Sequence, residues 1–300
     1  MTAAFDEDFR TNRREFPTGY SMNRRTDAPA HGNPGPASNG DDSQDLQLDI
    51  DANYAVEIAP DIFWVGFYDE HEQLHCNPYL IRQGTESILI DPGSVPDFPV
   101  VARKVFSIVP AESISTFILQ HQDPDLCAAV PIFEDLKASY EHQVISVKST
   151  SYFVHHYGVK GELIRLDLKA GQPLKYKTPS GRELHFYWTP YAHSFGAMMT
   201  YDVTSGALFT SDILGGLGAD WELYHNDAAL KNMKQFMQLI MPTNQIMRYS
   251  LKLIEKINPQ LICPQHGQII PGADYPAIMR TLWDLPCGID LIDDPLLQNL

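Results

Sequence analysis

The chain of 300 residues has only four cysteines, Cys76, Cys127, Cys263 and Cys287, and no two of them form a C-x-x-C pair. That scarcity argues against a disulfide framework and a thiolate metal site, and leaves buried free thiols as the expectation. Basic residues are also in short supply, with 22 Lys and Arg against 38 Asp and Glu and a formal charge of −16. A nucleic-acid footprint is basic, so no nucleic-acid partner is expected. No apolar run approaches the roughly 18 residues of a membrane helix. The start, Met-Thr-Ala-Ala-Phe-Asp-Glu-Asp, lacks the basic and apolar stretches of a secretory signal. A cytoplasmic protein with no membrane partner follows as the expectation. No short internal repeat is visible, which sets aside solenoids and propellers.

What is present suits one large domain, because 44% of the residues are hydrophobic and 20% charged. The exception is the beginning. Residues 27–45 are almost wholly Ala, Pro, Gly, Asn, Asp, Ser and Gln, and cannot bury enough apolar surface to offset the entropy of ordering. Residues 1–50 are therefore expected to be a flexible extension, with Arg10, Arg13, Arg14, Arg24 and Arg25 interleaved among Phe5, Phe9, Phe16 and Tyr20. Residues 51–300 are expected to form the folded domain.

Strand-like runs are expected at residues 54–58, 62–67, 77–82 and 86–90, the last ending in the turn Asp91-Pro92-Gly93. A helix over 96–109 and a strand over 114–120 follow, then a helix over 126–136 and short strands at 144–148 and 162–168. Further strands are expected at 183–187, 198–203 and 207–210, the last two joined through Thr204-Ser205-Gly206. Met233, Phe236, Met237 and Ile240 recur at helical spacing, with Asn226 or Asp227 as the cap. A second helix over 244–257 stops at Asn258-Pro259, and the strand 260–263 delivers His266.

Several of these runs end on residues that ligate metals. His121-Gln122-Asp123-Pro124-Asp125-Leu126 follows the strand at 114–120, and Pro124 argues for a loop there rather than a helical turn. His193 in Tyr-Ala-His-Ser, Asp212 in Thr-Ser-Asp-Ile and His266 in Pro-Gln-His-Gly also follow strands. A lone His or Asp in such a place is usually a loop or capping residue. Three imidazoles and three carboxylates together, His121, Asp123, Asp125, His193, Asp212 and His266, match what a dinuclear centre requires. Hard oxygen and imidazole donors without thiolate suit iron, manganese or zinc. Other residues carry less: His75 beside Cys76 is expected in the core, His155-His156 on a surface helix, and Trp221, Glu222, Tyr224 and His225 as a lid or subunit contact.

Over residues 52–275 the order and context of these side chains resemble the metallo-β-lactamase superfamily. The closer similarity is to its diiron branch of flavodiiron and oxygen-binding diiron proteins. That branch carries His-x-Glu-x-Asp-His, then an isolated His, an Asp at a strand end, and a His in Pro-x-His-Gly. Here those positions read His121, Asp123, Asp125, Leu126, His193, Asp212 and His266. The turn Asp91-Pro92-Gly93 resembles the superfamily's early strand and turn. The resemblance implies an α/β fold, an αββα sandwich of the metallo-β-lactamase type. It also implies that His121, Asp123 and His193 hold one metal, Asp125 and His266 the other, and that Asp212 bridges both.

Two departures matter. Leu126 stands where the family places a second imidazole on the second metal, which implies an open coordination position there. It is also suited to be the first core residue of the helix that follows. Asp123 stands in place of a glutamate and is one methylene shorter. The superfamily's dizinc hydrolases carry His-x-His-x-Asp-His, which this chain lacks at Asp123 and Leu126, and its carboxylates nearly balance two divalent ions. Two non-haem iron ions are therefore expected, with zinc or manganese as alternatives. Full-length reductases of the branch carry a flavodoxin-like domain after this one, for which the segment after His266 is too short. Dioxygen binding, as a sensor or carrier, is the leading expectation, with Leu126 restricting water and proton access. The alternatives are reduction of O2 or NO with electrons from an external donor, and dinuclear hydrolysis. A signalling partner or electron donor and a homo-oligomer are the expected associations.

Overall fold

A strand whose two faces are both buried must be apolar throughout, and β6 (Ser87–Ile90), Ser-Ile-Leu-Ile, is buried at every position. It is the sixth strand of a computed structural model that describes residues 50–218 and 222–293. Those residues fall within one unit, Leu48–Leu300. The extension expected over residues 1–50 lies, but for Ile50, outside the described residues. Before β6 come β1 (Val56–Ala59), β2 (Ile62–Trp64), β3 (Phe67–Asp69), β4 (Leu74–Cys76) and β5 (Tyr79–Ile81). After it come β7 (Ile114–Ile118), β8 (Gln143–Val147) and β9 (Glu162–Leu166). The first sheet has the order β1-β2-β5-β6-β7-β8-β9 and is parallel from β6 to β9.

The second sheet runs β10 (Leu174–Lys177), β11 (Glu183–Trp188), β12 (Met198–Asp202), β13 (Ala207–Phe209), β14 (Leu261–Cys263) and β15 (Ile270–Pro271) in sequence order. Only β13 and β14 pair in parallel within it. The helices are α1 (Phe98–Phe106), α2 (Pro124–Cys127), α3 (Val130–Asp135), α4 (Lys148–Val154), α5 (Ala229–Ile240), α6 (Asn244–Ile257) and α7 (Tyr275–Leu282).

The period of two along each strand sorts side chains into separate cores. Ile88, Ile90, Ile118 and Ile145 meet Phe186, Met198, Phe209 and Cys263 between the two sheets. Leu89 and Phe117 point the other way, onto Val101 and Val105 of α1 and Phe133 of α3. Leu208 and Ile262 pack under Met237 of α5, Leu251 and Ile254 of α6 and Ile278 of α7. Helices cover the outer face of each sheet, which is the expected αββα sandwich. At 25 cal/mol per Å2, each fully buried Leu or Ile contributes about 1.5–3 kcal/mol to holding the layers together.

The expected elements are present with instructive shifts. The run 62–67 is two strands with different partners, β2 pairing with β5 and β3 with β4, and they part next to Gly66, where a Cβ would sit 2.1 Å from the Cys76 carbonyl oxygen. The expected helix over 126–136 is divided into α2, which begins at Pro124, and α3, which has Pro131 as its second residue. The expectation of a loop at Pro124 is corrected: Asp123 is extended (φ −72°, ψ 151°), but Pro124 starts a helical turn that carries Asp125. Proline suits a first helical position because the N–H it lacks would have no partner there. α6 begins and ends as expected, with Thr243 Oγ1 accepting from Ile246 N at 3.2 Å. α5 starts at Ala229 with Ala228 at its N-cap position and no side-chain cap bond, so the expected cap at Asn226 or Asp227 is corrected; Asn226 Oδ1 accepts from Ala229 N at 3.0 Å in the turn that precedes the helix. His155 and His156 are exposed on a short 3-10 turn, His155–Tyr157. No described helix is long and apolar enough to cross a membrane.

Candidate metal centre

Parallel strands end together, and loops at their carboxyl ends converge on one edge of a sheet. β7, β11, β13 and β14 each lead into a loop that carries expected ligands. The turn after β6 sets the first of these loops: Asp91 accepts from Gln120 N at 2.9 Å and from Gln120 Nε2 at 2.8 Å. Burial pushes the Asp91 carboxyl up to about 7, against the donors of Gln120. His193 (φ +70°) and Ser211 (φ +55°) sit in the left-handed region, which non-glycine residues occupy only where their surroundings force it. The His266 loop is pinned from the β4–β5 link: Asn77 Nδ2 donates to the carbonyls of Pro264 (3.0 Å) and Gly267 (2.8 Å), and Tyr79 donates to Pro264 O. Gly267 has φ +77°, and a Cβ there would meet Gly216 N at 2.6 Å, so only glycine fits after His266.

These constraints bring all the expected ligands together. His193 Nε2 lies 2.8 Å and His121 Nε2 3.5 Å from Asp123 Oδ2. Among the described residues, His121, Asp123 and His193 are the group whose donor atoms all lie within 4.8 Å of one another. His266 Nε2 lies 3.1 Å from Asp125 Oδ2. Asp212 stands between the pairs, with Oδ2 at 3.6 Å from His121 Nε2 and 3.7 Å from His193 Nε2, and Oδ1 at 3.8 Å from His266 Nε2. The floor is closed and the rim open: the side chains of His121, Asp212 and His266 are 1%, 5% and 6% exposed, against 31% for Asp123 and 37% for Asp125.

The arrangement fits a cation. His121 Nε2 and Asp212 Oδ1 are buried with no hydrogen-bond partner, and both face the centre of the cluster. A buried polar atom without a partner costs about 1–3 kcal/mol, a cost that coordination would remove. The other nitrogen is held in two of the rings: His121 Nδ1 against Ser211 Oγ at 2.7 Å, and His266 Nδ1, donating to the His75 carbonyl, at 2.7 Å. That holds both rings with Nε2 turned toward the cluster, and the His75 carbonyl, which only accepts, sets the proton of His266 on Nδ1. The carboxylates keep the rings charged when only protons are there to bind. Burial opposes the His121 imidazolium, but Asp212 and Asp123 raise it to about 9. Burial opposes that of His266 too, yet Asp125 pushes it well above the ordinary value. The hydrogen bond that His193 donates to Asp123 raises His193. The neighbouring imidazoles of His121 and His193 hold the Asp123 carboxyl well below the usual carboxylate range. Protons here occupy places that a divalent ion would take.

Leu126 is fully buried among Leu119, Cys127 and Val130, so it is a core residue of the outer layer. His75 and Cys76 are buried, as expected. Trp221 lies outside the described residues, whereas Tyr224 and His225 run beside Ile269, with His225 N donating to Ile269 O at 2.8 Å. Ser211, Asn77, Gln120 and the His75 carbonyl were not legible as site residues. Only their contacts across the chain mark them, since Ser and Asn in loops carry no ligand signal of their own.

Solved structures share this architecture. The chemotaxis sensor ODP from T. denticola, in its apo state, superposes with TM-score 0.68 at 23% identity, covering 80% of this chain and 96% of that one. The same sensor in a peroxy diiron species gives TM-score 0.67 at 22% identity, covering 82% and 98%. Type A flavoprotein fprA from Rhodobacter capsulatus is 24% identical over 229 residues, 72% of this chain and 52% of the relative. The chain thus spans about half the length of the flavoprotein relatives it matches. Residues 74–267, from β4 to the glycine after His266, match the family described as ODP family beta lactamase, and the chain belongs to that family.

Proposed function

We propose that this protein is a non-haem diiron protein that binds dioxygen, as an oxygen sensor or carrier in the cytoplasm. The observation that carries the reading is Asp212, which offers one carboxylate oxygen to each of two donor clusters while Oδ1 has no partner. In this reading His121, Asp123 and His193 hold one iron, Asp125 and His266 the other, and Asp212 both. Three carboxylates and three imidazoles, with no thiolate among them, suit iron. Two ferrous ions, when bound, would supply the electrons and the vacant coordination that dioxygen requires.

The residues of the chain do the rest. Ser211 and the His75 carbonyl hold His121 and His266 with Nε2 facing inward. The open rim at Asp123, His193 and Asp125 admits a diatomic ligand. Leu126 brings no imidazole to the second position. A leucine brings no proton donor of its own, where an imidazole would, which favours holding dioxygen over reducing it. The named function of the ODP relative, chemotaxis sensing, supports a signalling partner. Exposed Tyr152 and Phe153 on α4 and exposed Tyr191 beside His193 support association of copies into a homo-oligomer, which light scattering would test.

The test is metal analysis of protein prepared without air, followed by its visible spectrum on exposure to oxygen. About two irons and a persistent oxygen-dependent band are expected. Zinc alone with no spectral change would overturn the redox reading and favour a dinuclear hydrolase, whose metal lowers the pKa of bound water toward about 7. The kinship with flavoprotein fprA favours a second reading, reduction of O2 or NO with an external electron donor. Sustained oxygen or NO consumption once a reductant couple is supplied would establish it over binding.

A further inference from the structure

Gln122 lies between two expected ligands and is not one itself. Its backbone is fixed by Tyr157, whose hydroxyl donates to Gln122 O at 2.8 Å. Its side-chain Nε2 donates to Asp123 Oδ1 at 2.7 Å, and its Oε1 accepts from Ser194 Oγ at 2.5 Å. The orientation of the amide is settled by its neighbours, since a carboxylate only accepts and the NH2 end must face it. Asp123 Oδ2 is left to face His193 and His121. Asp123 precedes the first turn of α2 yet makes no side-chain cap bond, so its carboxylate is not spent on the helix. It is also partly exposed and short, and nothing in its own backbone would stop it from turning to water.

We infer that Gln122 and Ser194 form a positioning clamp: by holding Oδ1 of Asp123 they turn Oδ2 toward the first metal position, which offsets the methylene that aspartate lacks relative to glutamate. The clamp joins the loop after β7, in the first sheet, to the loop after β11, in the second. Ser194 is buried and adjacent to His193, so the clamp sets the spacing of Asp123 and His193 as well as the aim of the carboxylate. The inference rests on Asp123 being a metal donor.

The test uses the full chain, stripped of metal and titrated with Co2+, which reports coordination through the intensity of its visible bands and needs neither iron nor oxygen. Changes next to metal ligands cost about 10- to 100-fold in affinity, and Gln122→Ala is expected to weaken the first ion by about 10-fold with altered band intensity. Ser194→Ala should act in the same direction by less. Gln122→Glu should be worse than Gln122→Ala, because it removes the donor and sets a carboxylate against a carboxylate. Adding Asp123→Glu to Gln122→Ala should restore the affinity, since the longer arm reaches the ion unaided, an outcome that a merely structural role for Gln122 does not produce. Wild-type affinity and spectrum in Gln122→Ala would overturn the inference, as would failure of Asp123→Glu to restore binding in that background. If the wild-type chain itself takes up no Co2+, the metal reading fails first and the clamp with it.

Discussion

The two halves of the centre are built differently. Around His121, Asp123 and His193 the donors already close to within 4.8 Å, and Asp123 is engaged by both His193 and Gln122. Around His266, Asp125 stands at 3.1 Å and Asp212 at 3.8 Å, and the residue after Asp125 is a buried leucine. On the proposed reading, the first half is arranged in advance for an ion and the second has fewer donors. Preorganisation raises affinity by removing the cost of ordering, while an incomplete shell leaves a position for an external ligand.

The largest effect is expected from Asp212→Ala, which removes the one side chain that both halves share. Metal content after gel filtration should fall from about two ions to less than one. A full ion retained would show the halves to be independent. Next, His193→Ala should cost the first ion more than the roughly 10- to 100-fold of an outer change, whereas His266→Ala should leave that ion in place. Calorimetric titration of both variants would reverse the comparison if His266→Ala proved the more damaging to the tighter site.

The third prediction concerns pH. His121 is raised from 6.5 to about 9, so in the metal-free protein its favourable charge pairing is complete below about 6.5 and disappears as pH rises through about 9. His193 and His266 shift in the same direction. Metal must displace these protons, so apparent affinity should climb from pH 6 to 9 and then level. A flat profile by competition titration would mean that the rings are neutral before metal arrives. The smallest effect is expected from Leu126→His. An unpartnered imidazole in that cluster costs about 1–3 kcal/mol, and in a domain of this size each kcal/mol lowers the thermal midpoint by about 2–4 °C. If position 126 reaches the second ion, added metal should recover the loss and the oxygen-dependent band should decay faster. No recovery would assign Leu126 to packing alone.

Much of this centre was legible because its donors follow apolar runs that could only be strands. His121, His193, Asp212 and His266 were placed by that rule, and the sandwich was expected from the resemblance to the metallo-β-lactamase superfamily rather than from the run of strands and helices alone. Other features depend on contacts that no local pattern records. The break at Gly66 goes with a carbonyl ten residues further on, and the orientation of the His121 ring with a serine ninety residues away. The turn at Pro124 was misjudged for a local reason: the same proline that keeps Asp123 extended is well suited to start a helix.

The donors divide evenly in origin. His121, Asp123 and Asp125 follow a strand of the first sheet, whereas His193, Asp212 and His266 follow strands of the second. Ions held between them would act as rivets through the sandwich, so that binding metal would tie the first sheet to the second and stripping it would leave their edge joined by side-chain contacts alone.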